Sequence, residues 1–304
     1  MSHLDIILQQ LANGVILGSF YALVALGYTM VYGIIKLLNF AHGDLYMVGG
    51  FVGFVILSAV SGLLGEGWAA ITCSMVLSML AVGLLGVIIQ RVAYQPMLNA
   101  PRLSILITAL AVSMILSNGV MAVTDGEYLA FTTDLGYDGL DFGNVFISYT
   151  QLMLVVSAAV LMIVLTLFVH KTLYGKAMRA IAIDQDACRL MGINVNRIIA
   201  LTFFIGSSLA AAAGVMAGVY YGSLHFSMGF VIGLKAFTAA VIGGIGSIPG
   251  AMLGGLTLGI LEAFGTQLPF VGSEWKDVFS FGLLILLLIV KPTGMLGKTE
   301  IERM

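Results

Sequence analysis

The sequence predicts an all-α integral membrane protein: a polytopic bundle of about eight or nine transmembrane helices, with a Gly-rich hairpin that reads as a strained span or as a broken, partly re-entrant helix. Three observations predict it. Of 304 residues 60% are hydrophobic and only 9% charged, against roughly 25% charged residues in a soluble domain. The mean hydropathy is +1.07. The apolar runs mostly approach the ~20 residues that cross a hydrocarbon core as helix, and they are apolar on every face, whereas barrel strands alternate in ~10-residue segments.

Taken in order, the runs are Leu11 to Ile35, Phe51 to Leu64, Ala69 to Ile89, Leu103 to Val123, Leu152 to Val169 and Ile198 to Tyr221. The first has no basic stretch before it and exceeds the 7–15 residues of a signal core, so it reads as a retained span. Val231 to Ile242 is too short to cross alone, at about 18 Å of helix, and is followed by "GGIGSIPGAMLGG", Gly243 to Gly255. Freed backbone at membrane depth is tolerated where it is buried in protein or lines a cavity. Gly243, Gly246 and Pro249 are therefore candidate pathway elements. The other reading is a tight turn, with Ser247 at a helix start and Pro249 in its first turn. A last run covers Val278 to Val290.

Basic residues stay on the cytoplasmic side of short loops. Alternating the connections puts Lys36, Arg91, Arg102, Lys171, Lys176, Arg179, Arg189, Arg197, Lys291, Lys298 and Arg303 on one face, and Asp5, Glu66, Asp125, Glu127, Asp134, Asp138, Asp141, Glu274 and Asp277 on the other. The expectation is a single transmembrane domain over 1–304, with its N-terminus outside and its C-terminus in the cytoplasm. It has an acidic extracytoplasmic loop at 124–150 and a cytoplasmic polar segment at 170–197. Small residues four apart, Gly14/Gly18, Gly214/Gly218, Gly250/Gly254 and Gly255/Gly259, predict close helix packing. Cys73 and Cys188 fall in different segments, so neither a disulfide nor a metal framework is expected. No basic, aromatic-interleaved stripe argues for nucleic acid.

The most polar block is "RAIAIDQDACRLMGINVNRI", Arg179 to Ile198. Asp184 is placed to cap a short helix whose apolar positions Ala187, Leu190 and Met191 keep helical spacing, and Gly192 then Ile193 fit a left-handed stop. Gly175, Lys176 and Arg179 would turn the chain out of the fifth span. By itself such a segment reads as a solvated connector.

Other polar residues invite functional readings. Glu262 lies within an apolar run, where a carboxylate costs about 2.5–3.5 kcal/mol. It is expected either to meet the ammonium group of a passing solute or to pair inside the protein with Lys235. Lys235 is expected near the outer end of its segment, reaching its amine to the interface. Asn39, His42 and Asp44, in "NFAHGD", are placed at the cytoplasmic junction of the first two spans, with Gly43 and Asp44 read as a helix stop and cap and His42 as a structural residue or a gate.

The polar block, with "GYTMVYGIIKLLNFAHGDLYMVGGF" (Gly27 to Phe51) and "GLKAFTAAVIGGIGSIPGAMLGG" (Gly233 to Gly255), resembles the LivH-type permease subunit of bacterial ABC importers for branched-chain amino acids. The match runs from about Gly14 to Gly297. The resemblance implies an inner-membrane subunit paired with a second permease, set on two cytoplasmic ATPase subunits and served by a periplasmic amino-acid-binding protein. It implies that Gly175, Arg179, Ala180, Asp184, Gly192, Ile193 and Asn194 dock into the ATPase. One departure is Ile183, where the family often has Glu, so any contact made by that Glu falls to Asp184 or Asp186.

The tail "GMLGKT" ends like a phosphate-binding loop, but the first glycine of that motif would stand at Pro292. No cofactor is expected on this chain, and ATP and magnesium are expected on the partners. Competing readings are a permease for urea or short amides, and a stand-alone secondary transporter or channel. A secondary transporter would have only Glu262 and Lys235 as clear charged residues at depth and no use for a polar coupling helix. An intramembrane enzyme lacks any H-E-x-x-H motif, nucleophile elbow or paired aspartates.

Overall fold

The computed structural model describes residues 3–36, 38–65, 67–97, 100–131, 138–141, 145–267, 275–291 and 293–297. Eleven α-helices are seen among them. They are α1 (His3–Ile35), α2 (His42–Leu64), α3 (Trp68–Ile89), α4 (Arg102–Thr124), α5 (Tyr149–Lys171), α6 (Leu173–Ile183), α7 (Gln185–Leu190), α8 (Val195–Tyr221), α9 (Met228–Gly243), α10 (Ile248–Gly265) and α11 (Lys276–Val290). Seven of these segments are long and apolar enough to cross a membrane, and α9 is a shorter apolar helix. α9 and the 15-residue α11 are shorter than a span, so among the described residues seven helices qualify where eight or nine were expected.

α1 and α8 form the buried axis, while α4 lies almost wholly on the outside. The glycine pairs explain why. A side chain started at Gly14 would stand 2.7 Å from the Ile260 Cα, and one at Gly18 would stand 2.7 Å from the Leu256 Cα. Gly255 abuts the Ala22 backbone and Gly259 abuts Gly18. The pairs expected on two separate spans are thus each other's partners, and α1 and α10 touch backbone to backbone. Gly250 and Gly254 press on Gly243 and Ala239, closing the α9–α10 hairpin. Serines tie α3 into the bundle: Ser78 Oγ donates to the Gly49 carbonyl at 2.8 Å, and Ser208 Oγ to that of Met79 at 2.8 Å.

The two ends of the bundle differ. At one end, β2 (Gly139–Asp141) pairs antiparallel with β3 (Phe146–Ser148), and Gln9 of α1 holds Phe146 by both its N–H and its carbonyl. The capping box of Ser148 and Gln151 starts α5 there. Another short pair, β1 (Leu129–Ala130) with β4 (Ser223–Leu224), joins the expected outer loop to the end of α8. At the other end lie Lys36, Lys171, Lys176, Arg179, Arg189, Arg197 and Lys291, at helix termini or on α6 and α7. Of the charged residues used to assign sidedness, Glu66, Asp134, Glu274, Lys298 and Arg303 fall outside the described residues, as do Pro292 and Thr299 of the tail.

Two helices begin inside the bundle. Lys36 adopts φ +57° and ends α1; the following linker folds back, so that His42 packs on Gly27 and Gly206. Gly27 lies eight residues inside the end of α1, about 12 Å along its axis. His42 therefore lies deeper in the bundle than the junction at which it was expected, whereas Asn39 stays beside Tyr94 near the ends of α1 and α3, and Asp44 does not cap α2, whose N-cap position is Ala41. The first residues of α9 meet the first residues of α2, with Gly43 pressed against Gly229 and Gly233. α9 and α10 are each continuous, so of the two readings of the Gly-rich hairpin the structure has the tight turn and not the broken helix: Ser247 accepts from the Gly250 N–H at 3.2 Å with Pro249 in the first turn of α10.

Candidate functional site

α6 and α7 follow from their caps. Thr172 accepts the Gly175 N–H at 3.1 Å, and Gly175 is packed against the Val169 and Phe168 backbone, where no side chain would fit. Asp184 accepts from Asp186 N and Ala187 N, both at 2.9 Å. Gly192, at φ +81°, ends α7 in a paired stop: Ile193 N–H reaches the Cys188 carbonyl and Gly192 N–H that of Arg189. Asn194 then caps α8 through the Arg197 N–H at 3.1 Å. Four of the seven candidate coupling residues, Asp184, Gly192, Ile193 and Asn194, set backbone geometry within a single turn–helix–turn. Arg179 is exposed and Ala180 half-buried on α6.

The apolar positions of α7 do not pack inward as an amphipathic helix suggests. Cys188 is the residue buried, while Leu190 is 89% and Met191 82% exposed, beside Ile183 at 88%. The caps fix α7 in a rotation that presents these side chains outward, making an apolar knob on the basic end. Such an exposed patch marks a contact surface. Gln185, which sequence reasoning passed over, donates its Nε2 to the Ile34 carbonyl at 3.1 Å. That carbonyl is in the last turn of α1, where intrahelical donors run out, so α7 is joined directly to the central helix.

Above this knob opens a cavity of about 480 Å³, lined by Thr29 and Gly33 of α1, Arg179 of α6, and Gly246, Ser247 and Pro249 of the α9–α10 turn. The cavity brings together Arg179 from the coupling set and Gly246 and Pro249 from the pathway set. Gly243 stays in the α9–α10 contact instead. Thr29 Oγ1 is buried beside the cavity with no hydrogen-bond partner.

Lys235 is 2% exposed, not at an interface as expected. Its Nζ stands 2.9 Å from Glu262 Oε1 and 2.7 Å from Asp277 Oδ1. The second oxygen of Glu262 accepts from Tyr21 Oη at 2.8 Å, and the ammonium lies 5.7 Å from the Tyr21 ring centre. Both Glu262 oxygens are therefore occupied by the protein, which favours the paired reading over a carboxylate awaiting a passing ammonium. Asn39 accepts from Tyr94 Oη at 2.6 Å, an arrangement set by the π-turn Gln90–Tyr94 that ends α3. His42 is buried under the Tyr28 ring, their centres 4.8 Å apart.

Comparison with known proteins decides the family. Residues 10–288 match the family model described as branched-chain amino acid transport system / permease component. The chain belongs to that permease family.

Among its relatives, this permease is 46% identical over 301 residues, covering 97% of each chain, to the high-affinity branched-chain amino acid transport system permease protein BraD of Pseudomonas aeruginosa. It is 45% identical over 307 residues, again 97% of each, to the permease protein LivH of Escherichia coli strain K12. The permease protein LivM of Salmonella typhimurium is 26% identical over 92% of this chain and 68% of that protein. The chain is accordingly a multi-pass membrane protein and a transport component, not an enzyme. Replacing Gln185 with Leu removes one hydrogen bond, worth about 1 kcal/mol, between α7 and α1. The expected result in reconstituted membranes is normal assembly with a severalfold fall in solute moved per ATP; an unchanged ratio would show that the tie carries no motion.

Proposed function

We propose that this permease is the membrane-spanning subunit of an ATP-driven importer of branched-chain amino acids (Leu, Ile, Val), working by alternating access in the bacterial inner membrane, with its N-terminus outside and its C-terminus in the cytoplasm. Its partners are a second permease subunit, two cytoplasmic ATPase subunits and a periplasmic amino-acid-binding protein. ATP and magnesium are used by the ATPase subunits, and this chain binds no cofactor. The observation that carries the reading is the α7 knob: apolar side chains held outward by Asp184 and Gly192, and joined through Gln185 to the end of α1. A partner gripping Ile183, Leu190 and Met191 moves α7. The hydrogen bond then passes that movement to α1, one wall of the cavity at Arg179, Gly246 and Pro249. Family membership and the identity to BraD and LivH supply the substrate class.

The test is purification of the chain from its native membrane in mild detergent, with mass spectrometry of what co-elutes, followed by reconstitution with the binding protein. Recovery of two ATPase polypeptides and a second permease, with import of leucine and not urea, is expected. Import of urea would reassign the substrate. A lone homo-oligomer that moves solute would remove the ATP-driven reading.

A further inference from the structure

Among the described residues two carboxylates are buried, Glu262 and Asp44, and they are in opposite conditions. Glu262 has an ion pair on one oxygen and a tyrosine hydroxyl on the other. Asp44 is 2% exposed and its Oδ2 has no hydrogen-bond partner. A buried carboxylate with one oxygen unsatisfied is expensive to keep, and inside a membrane protein such a group is by default functional.

Its position is unusual as well. Asp44 is in the first turn of α2, and its Oδ1 lies 2.9 Å from where a side chain would begin at Gly229, in the first turn of α9. The first turns of two helices therefore meet at one carboxylate. Neither helix has a side-chain N-cap. First-turn N–H groups lack intrahelical acceptors, and their partial positive charge favours an anion beside them. The contact surface between the two helices is glycine on both sides: Gly43 faces Gly229 and Gly233. Only a glycine surface lets the two first turns approach this closely, which brings the backbone of α9 beside Asp44.

The geometry points to Asp44, at the meeting of the α2 and α9 N-termini, as the transit site that takes the ammonium group of an α-amino acid while the open first turn of α9 at Gly229 takes its carboxylate. The two poles of a zwitterion match the two features present: a carboxylate with one free oxygen, and backbone N–H groups that favour anions. Solutes lacking an ammonium leave Asp44 unsatisfied and pass poorly. The inference rests on the amino-acid import reading above.

The test uses the complete importer with its binding protein in proteoliposomes, measuring leucine moved and ATP hydrolysed. Asp44→Asn keeps the shape and removes the charge. The leucine-to-ATP ratio is expected to fall about tenfold, the value of one charged hydrogen bond, with ATP hydrolysis little changed. Asp44→Glu, which keeps the charge one methylene displaced, is expected to fall between the two. A wild-type ratio in Asp44→Asn overturns the site, as does a proportional loss of transport and hydrolysis, which would mark a merely structural aspartate. If Asp44→Asn does not assemble, Asp44→Glu decides, because a wild-type ratio there overturns the proposal. A wild-type complex that moves no amino acid is the failure of the import reading instead, and is seen before any variant is made.

Discussion

Lys235→Met is expected to destabilise the purified permease by about 3–5 kcal/mol, the usual cost of leaving a buried partner charge uncompensated. The side chains of Lys235 and Glu262 are 2% and 5% exposed, whereas Asp277 is 44% exposed. Most of the loss therefore comes through Glu262, and the Asp277 contact is partly screened by solvent. Because the cluster joins α1, α9, α10 and α11 through Tyr21, Lys235, Glu262 and Asp277, the variant should also loosen the outer corner of the bundle. The double variant Lys235→Met with Glu262→Gln should recover much of the loss, since no charge is then stranded between the two. Thermal unfolding in detergent, followed by size exclusion, checks this. A single variant that melts with the wild type would mean that the cluster contributes nothing to stability.

Leu190→Asp combined with Met191→Asp is expected to abolish recovery of the ATPase subunits and to lower transport at least tenfold, while leaving thermal stability unchanged. Both side chains are more than four-fifths exposed, so the bundle loses no packing. An interface anchored on them loses about 2 kcal/mol or more at each. Retained co-purification would place the docking surface elsewhere. A shift in melting temperature would show instead that the knob packs within this chain.

Local features were the most legible ones. Asp184, Gly192, Ser247 and Pro249 each act within a few residues of themselves, so spacing alone identifies a cap or a stop, whereas the cap at Asn194 was not read from the sequence. The glycine pairs were legible as contact surfaces, but nothing in a linear pattern says that Gly14 and Gly18 meet Gly255 and Gly259; that depends on which spans become neighbours. The depth of His42 and Asp44 was illegible because a polar "NFAHGD" reads as a loop, and only the return of the chain after Lys36 turns it into the interior start of α2. Lys235 was misplaced for a related reason. Its partners are 27 and 42 positions away in the chain, and the charge of Asp277 fits a surface loop equally well. The outward rotation of Leu190 and Met191 ran against a rule made for helices that bury their apolar stripe; here Cys188 takes the buried position instead.

The glycine seam between α1 and α10 has a mechanical meaning. Side chains in an ordinary helix contact absorb small displacements by changing rotamer, which softens whatever is passed through them. Backbone laid on backbone at Gly14, Gly18, Gly255 and Gly259 has no such play, so the two helices respond as one stiff rod. A displacement delivered at Ile34 reaches Gly14, twenty residues and about 30 Å away, with its amplitude nearly intact, and this lets one hydrogen bond at the foot of the rod be felt at its head.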